Sequence, residues 1–206
     1  MIRTFLTIFL LLMISSNTFA AGDPAAGKQK SGICVTCHGS DGNSVNPQWP
    51  SIAGQHPRYL ERQMTAIKSG QHRQSPLMAP MIATMTGQDF ADLAAYYASI
   101  PRRGTMADEE SIDLILLGEG LYRGGNKERG TPACMGCHGP DGAGNNLAGF
   151  PMISEQHATY TAQQLEAFRD GARTTDPQNM MRDIAGKLSD EEIRAVSEYL
   201  AGLRSQ

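Results

Sequence analysis

Two copies of one five-residue string lie one hundred positions apart: Cys34-Val35-Thr36-Cys37-His38 and Cys134-Met135-Gly136-Cys137-His138. Together they use all 4 cysteines of the chain. Cys-x-x-Cys-His is the attachment signal for c-type haem. On a turn of helix, positions i, i+3 and i+4 share one face. Two thiols can therefore form thioethers to the vinyl groups of one porphyrin while the adjacent imidazole reaches its iron. This predicts two covalent haem c groups, one on Cys34 and Cys37 and one on Cys134 and Cys137, with His38 and His138 as axial ligands. Two Cys-x-x-Cys pairs also describe a four-thiolate zinc site or a pair of redox dithiols. Neither explains a histidine directly behind both pairs, and a zinc ribbon brings its pairs within ~20 residues.

The halves match well beyond the cysteines. Gln55, His56, Tyr59, Gln63 and Gly70 return as Gln156, His157, Tyr160, Gln164 and Gly171, and Trp49-Pro50 answers Phe150-Pro151, all at an offset of 101. After a two-residue gap the match resumes at an offset of 103, where residues 86–100 answer residues 189–203. The chain is thus a tandem repeat. Its boundary falls in the breaker-rich stretch Pro101-Arg102-Arg103-Gly104-Thr105, giving domains at residues 21–105 and 106–206. Each half reads as helix: residues 111–122 with a counterpart starting near Asp23-Pro24, residues 57–68 and 159–169, and a last helix opened by Ser189 with Glu192 three positions on. No alternating strand pattern occurs, so the fold class is all-α. Each half has too little apolar mass for independent stability, and a tethered porphyrin would supply it.

Residues 1–20 read as a secretory signal: Arg3, an apolar run over residues 5–14, and the small-residue site Thr18-Phe19-Ala20, with cleavage after Ala20. The run is too short for a comfortable transmembrane helix, which needs ~20 residues. Export agrees with covalent haem attachment, which takes place outside the cytoplasm. Charge is unevenly shared. Residues 21–105 carry 8 basic and 5 acidic side chains, a net of +3, and residues 106–206 carry 9 and 16, a net of −7. Such a dipole steers and orients docking partners and weakens with salt.

Haem iron has a second axial position, which cytochromes c generally give to methionine. The repeat register pairs Met78 with Met181, each shortly before the final helix of its half. Met81, Met85 and Met180 are competitors whose register partners are Ile184, Leu188 and Leu77. His56 and His157 also repeat and raise a bis-histidine alternative. They sit about eighteen residues past the first ligand, at a helix start, and read more simply as lining the propionate side or the domain interface. A ligating histidine normally donates its other ring N–H to a carbonyl, a task for which Pro50 and Pro151 are well placed.

With these motifs in view, the mature chain resembles the cytochrome c4 family of periplasmic two-haem cytochromes along its whole length. The resemblance rests on the tandem haem strings, on Trp49-Pro50-Ser51-Ile52-Ala53-Gly54-Gln55, on Leu121-Tyr122-Arg123-Gly124-Gly125 and on Phe168-Arg169-Asp170-Gly171-Ala172-Arg173-Thr174. It implies two tandem class I cytochrome c domains, haem propionates towards their interface, and His/Met ligation of both irons. It also implies periplasmic electron transfer towards a terminal oxidase, sometimes with loose membrane association. The donor would be a quinol-oxidising complex or a small cytochrome. Ser154-Glu155 departs from the pattern, standing where the first half has Ala53-Gly54. Two alternatives remain beside an electron carrier: the dihaem subunit of a flavin-containing or other periplasmic dehydrogenase, and a peroxidase or dehydrogenase with one haem open. Nothing in the chain points to nucleic acid.

Overall fold

The computed structural model describes residues 21–104 and 112–205. The expected signal at residues 1–20 and the expected domain junction after residue 105 lie outside the described residues. The first half contains α1 (Pro24–Lys30), α2 (Val35–His38), α3 (Pro57–Ser69), α4 (Ala79–Ile82) and α5 (Gly87–Ala98). The second contains α6 (Ile112–Gly124), α7 (Met135–His138), α8 (Ala158–Arg169), α9 (Met180–Ala185) and α10 (Asp190–Gly202). Among the described residues there is no strand, only three isolated bridges. No helix among them is long and apolar enough to cross a membrane.

Local chemistry sets the helix ends. Asp23 caps α1 by accepting from Ala25 N–H at 2.8 Å, with Pro24 at the first helical position. The final helix of each half opens with a full capping box, Thr86 with Asp89 and Ser189 with Glu192. Helix α3 starts at Pro57 and ends at Gly70, whose φ of 67° lies in the left-handed region that favours glycine.

In each half the first helix packs across the last. The crossings are close because glycine stands at both: a Cβ on Gly27 would lie 2.1 Å from Asp92 O, and one on Gly118 would lie 2.1 Å from Ala195 O. Asp92 and Ala195 are register partners at the offset of 103, so the two crossings are copies of one another. Around the first lies a core of Leu60, Met64, Ile67, Ile82, Phe90, Leu93, Ala94 and Tyr97. The second core is smaller, with Tyr122, Val196, Tyr199 and Leu200. Both are modest for domains of this length, where about 60 % of the surface exposed by the unfolded chain must be covered.

Candidate haem sites

Each Cys-x-x-Cys-His string folds as one helical turn. His38 N–H donates to Cys34 O at 2.9 Å and His138 N–H to Cys134 O at 3.1 Å, so both thiols and the imidazole issue from one turn. The chain then leaves through Gly39 and Gly139, both with φ of 81°. The loop that follows returns to the histidine. His38 Nδ1 lies 2.8 Å from Pro50 O, and His138 Nδ1 lies 3.0 Å from Pro151 O. A carbonyl can only accept, so Nδ1 carries the proton and Nε2 keeps its lone pair. Burial lowers the pKa of both imidazoles and favours the neutral form that a metal requires.

The thiols suit thioether formation better than thiolate chemistry. All 4 cysteines are free of disulfides. Burial raises the Cys34 thiol and pushes Cys134 up to about 11, opposite to the depressed values of redox dithiols. Among the described residues, no group of three or more His, Cys, Asp or Glu side chains could hold a metal ion, which removes the basis for a four-thiolate zinc site. Two thiols and a neutral, oriented imidazole on one turn fit a covalently attached porphyrin.

Met78 is partly buried and packs on the first core together with Cys34 and Met85. Met181, the second residue of α9, is likewise partly buried. Their neighbours Met81 and Met180 turn outward, at 52 % and 38 % exposure. Met85 shares the first core and stays a packing rival to Met78. The approach to Met181 is held by Asp176, whose carboxylate accepts from Arg182 Nε at 2.9 Å and from Arg182 N–H at 3.0 Å. Between them Gln178 and Asn179 adopt left-handed φ values of 54° and 62°.

His56 and His157 face the opposite half. His56 Nε2 meets Ala143 O at 2.9 Å and His157 Nε2 meets Ser44 O at 2.8 Å. Beside them the repeated glutamines swap partners. Gln55 brackets Met152, donating to its carbonyl at 2.8 Å and accepting its N–H at 3.0 Å, and Gln156 does the same to Ser51 at 2.9 Å and 2.9 Å. A two-fold relation between the halves follows. It continues in Arg73, which donates to Tyr160, Gln164 and Gln63, and in Arg173, which donates to Tyr59, Gln63 and Gln164. Repeat register singles out the glutamines, histidines and tyrosines. It does not show that each reaches across to the other half, nor that the arginines join them.

The sequence profile of the cytochrome c family matches residues 25–101 and again residues 124–204. A cytochrome c4 of Thiocapsa roseopersicina is 53% identical over 184 residues, covering 88% of this chain and 93% of its own. The thiosulfate dehydrogenase electron acceptor of Stutzerimonas stutzeri (strain A1501) is 36% identical over 171 residues, 82% of this chain and 78% of its own. Among solved structures, reduced recombinant cytochrome c4 from Pseudomonas stutzeri superposes with a TM-score of 0.85 at 45% identity, over 89% of this chain and 100% of that one.

Proposed function

The chain belongs to the cytochrome c4 family, whose members are two-haem electron-transfer proteins, and from that premise we propose that it carries electrons in the periplasm towards a terminal oxidase of a respiratory chain. It is a dihaem cytochrome c and not an enzyme. When bound, each haem supplies an iron that gains and loses one electron. Everything else falls to the protein. Cys34, Cys37, Cys134 and Cys137 would hold the porphyrins, and His38 and His138 would ligate the irons with the orientation that the proline carbonyls fix. Met78 and Met181 would supply the remaining ligands, as soft thioethers that favour ferrous iron. With those ligands in place no position would remain for a substrate.

The observation that carries this reading is the repeated bond from His Nδ1 to a proline carbonyl, 2.8 Å and 3.0 Å in the two halves. It serves no obvious end in a packed core, whereas it gives an axial ligand its tautomer and its angle. We place the mature start at Ala21, after an export signal at residues 1–20, and the two domains at residues 21–105 and 106–206. The basic first half would dock an acidic oxidase surface, and the acidic second half a basic donor such as a small cytochrome or a quinol-oxidising complex.

An optical redox titration of the exported protein tests the assignment. Two haems per chain are expected, with a weak long-wavelength band in the oxidised form that reports iron–thioether bonding. Substituting Met78 or Met181 by leucine should remove half of that band, while Met81→Leu and Met180→Leu leave it intact. A band that survives both M78L and M181L overturns the ligand assignment.

A second reading is favoured by the 36% identical relative, a thiosulfate dehydrogenase electron acceptor. The chain would then take electrons from a periplasmic dehydrogenase as its dihaem partner. Co-purification with such an enzyme, and reduction by it faster than by small cytochromes, distinguishes the two.

A further inference from the structure

The interface between the halves is rich in guanidinium groups that lack carboxylate partners. Arg58, Arg62, Arg73, Arg102 and Arg173 all donate to neutral oxygens, and four of them reach into the opposite half. Among the described residues none forms an ion pair, whereas Arg103, Arg123, Arg129, Arg169, Arg182 and Arg204 each do. Arg102 is the extreme case. Its Nε donates to Ala53 O at 2.9 Å, but Nη1 and Nη2 are shut off from solvent with no hydrogen-bond partner among the described residues. It lies within the electrostatic reach of Tyr59 in its own half and of Tyr160 and Glu155 in the opposite half. Burial pushes its pKa down to about 10, against the opposite pull of Glu155, Tyr59 and Tyr160. An orphaned buried cation is expensive and calls for an anion. Gln63 Nε2 and Arg62 Nε, also buried without partners, add two more donors to the same seam.

Resting on the dihaem reading above, we propose that Arg102, a linker residue outside both haem strings, is a positioning residue that anchors haem propionate carboxylate at the domain interface through Nη1 and Nη2. Each haem c brings two carboxylates, the chemistry that a guanidinium edge matches with two parallel donors. A fixed positive charge beside the macrocycle also favours the added electron, so the linker helps to set the reduction potential. Glu155 stands near enough to Arg102 to favour its charge but makes no ion pair with it among the described residues. Its carboxylate is held by Arg204 at 3.2 Å and Ser205 at 3.2 Å rather than by Arg102.

Optical redox titration of the full holoprotein with Arg102→Gln and Arg102→Lys tests this. R102Q should lower the equilibrium constant for reduction of at least one haem about tenfold, which is ~59 mV for a one-electron couple. R102K should retain most of the potential. In R102K the redox-difference infrared bands of the propionate carboxylates should move, because an ammonium cannot replace the two-donor edge. Midpoints unchanged in R102Q overturn the proposal, and so do propionate bands unchanged in R102K, which keeps the charge should R102Q fail to fold. Haem is counted in the same samples. Two haems with unmoved midpoints sink only the role of Arg102, whereas wild-type material without haem sinks the dihaem reading itself.

Discussion

Arg173 in the second half donates to the phenolic oxygen of Tyr59 in the first at 2.8 Å, and Arg73 in the first half returns the contact to Tyr160 in the second at 2.6 Å. Both guanidiniums also converge on the two amide oxygens Gln63 Oε1 and Gln164 Oε1, at 2.9 to 3.0 Å. Two like charges thus share a buried seam through neutral acceptors. That arrangement is tolerable because each oxygen is bonded and because Arg173 also lies 4.5 Å from the centre of the Phe168 ring. It fixes the halves relative to one another, and with them the two haem strings.

Arg173→Met should therefore loosen the interface. Tyr59 loses its partner and each glutamine oxygen keeps only Arg73. With hydrogen bonds to charged groups worth ~1.5–3 kcal/mol each, a net loss of about 3 kcal/mol is expected. Urea unfolding of the holoprotein measures it, and a loss below about 1 kcal/mol would show that the seam contributes little.

Some of this architecture is readable from residue order and some is not. Ser189 with Glu192 announces α10 because a capping box is local chemistry, and the haem strings are legible for the same reason. The glycine crossings are hidden. Gly27 and Gly118 stand 91 positions apart while the rest of the repeat runs at 100 to 103, so register does not pair them, although they occupy one place in space. Met78 and Met181 emerge from register, yet the Asp176–Arg182 brace beside the second does not, since Ala79 stands at the first-half position of Arg182. Arg102 reads in sequence as one more charge in a polar linker. Its isolation arises only when Ala53 and the opposite half close around it.

Neighbouring glycines of α6 should respond in opposite directions. Alanine at Gly118 would drive its Cβ into Ala195 O, forcing α6 and α10 apart at a cost of about 1–3 kcal/mol. Gly120, two residues on, has nothing within 4 Å of an added Cβ. Gly120→Ala should stabilise by about 0.5–1 kcal/mol through helix propensity. Thermal unfolding of the two holoproteins decides, and equal shifts would mean the crossing is not close-packed.

Asp92 predicts a specific acid limb. Its carboxylate accepts first from Asp23 N–H at 3.0 Å, then from Lys30 Nζ at 2.6 Å and Gln88 at 2.9 Å, and these hold its pKa near 2. A carboxyl depressed in the folded state stabilises above its unfolded pKa of ~3.9 and loses that contribution as pH falls towards 2. The difference in stability between wild type and Asp92→Asn should thus be constant above about pH 5 and shrink between pH 4 and 2. Unfolding midpoints across that range check it; a gap that widens with acid would reverse the sign and refute the account.

With Met78 and Met181 as the proposed iron ligands, the brace beside Met181 should make the two iron–methionine bonds unequal in their response to one substitution. Arg182 donates through both Nε and its backbone N–H to a carboxylate that is nearly inaccessible, at 2 % side-chain exposure. It thereby closes a turn whose Gln178 and Asn179 sit in left-handed conformations costing ~1 kcal/mol or more each. Arg182→Met removes the side-chain half of that closure and leaves Asp176 under-paired, which favours release of Met181 by about 2 kcal/mol. Heating oxidised R182M while following the long-wavelength band should show half of the intensity fading at a lower temperature. The half assigned to Met78 should fade where it does in wild type. A single transition at the wild-type temperature would mean that the turn does not control the ligand.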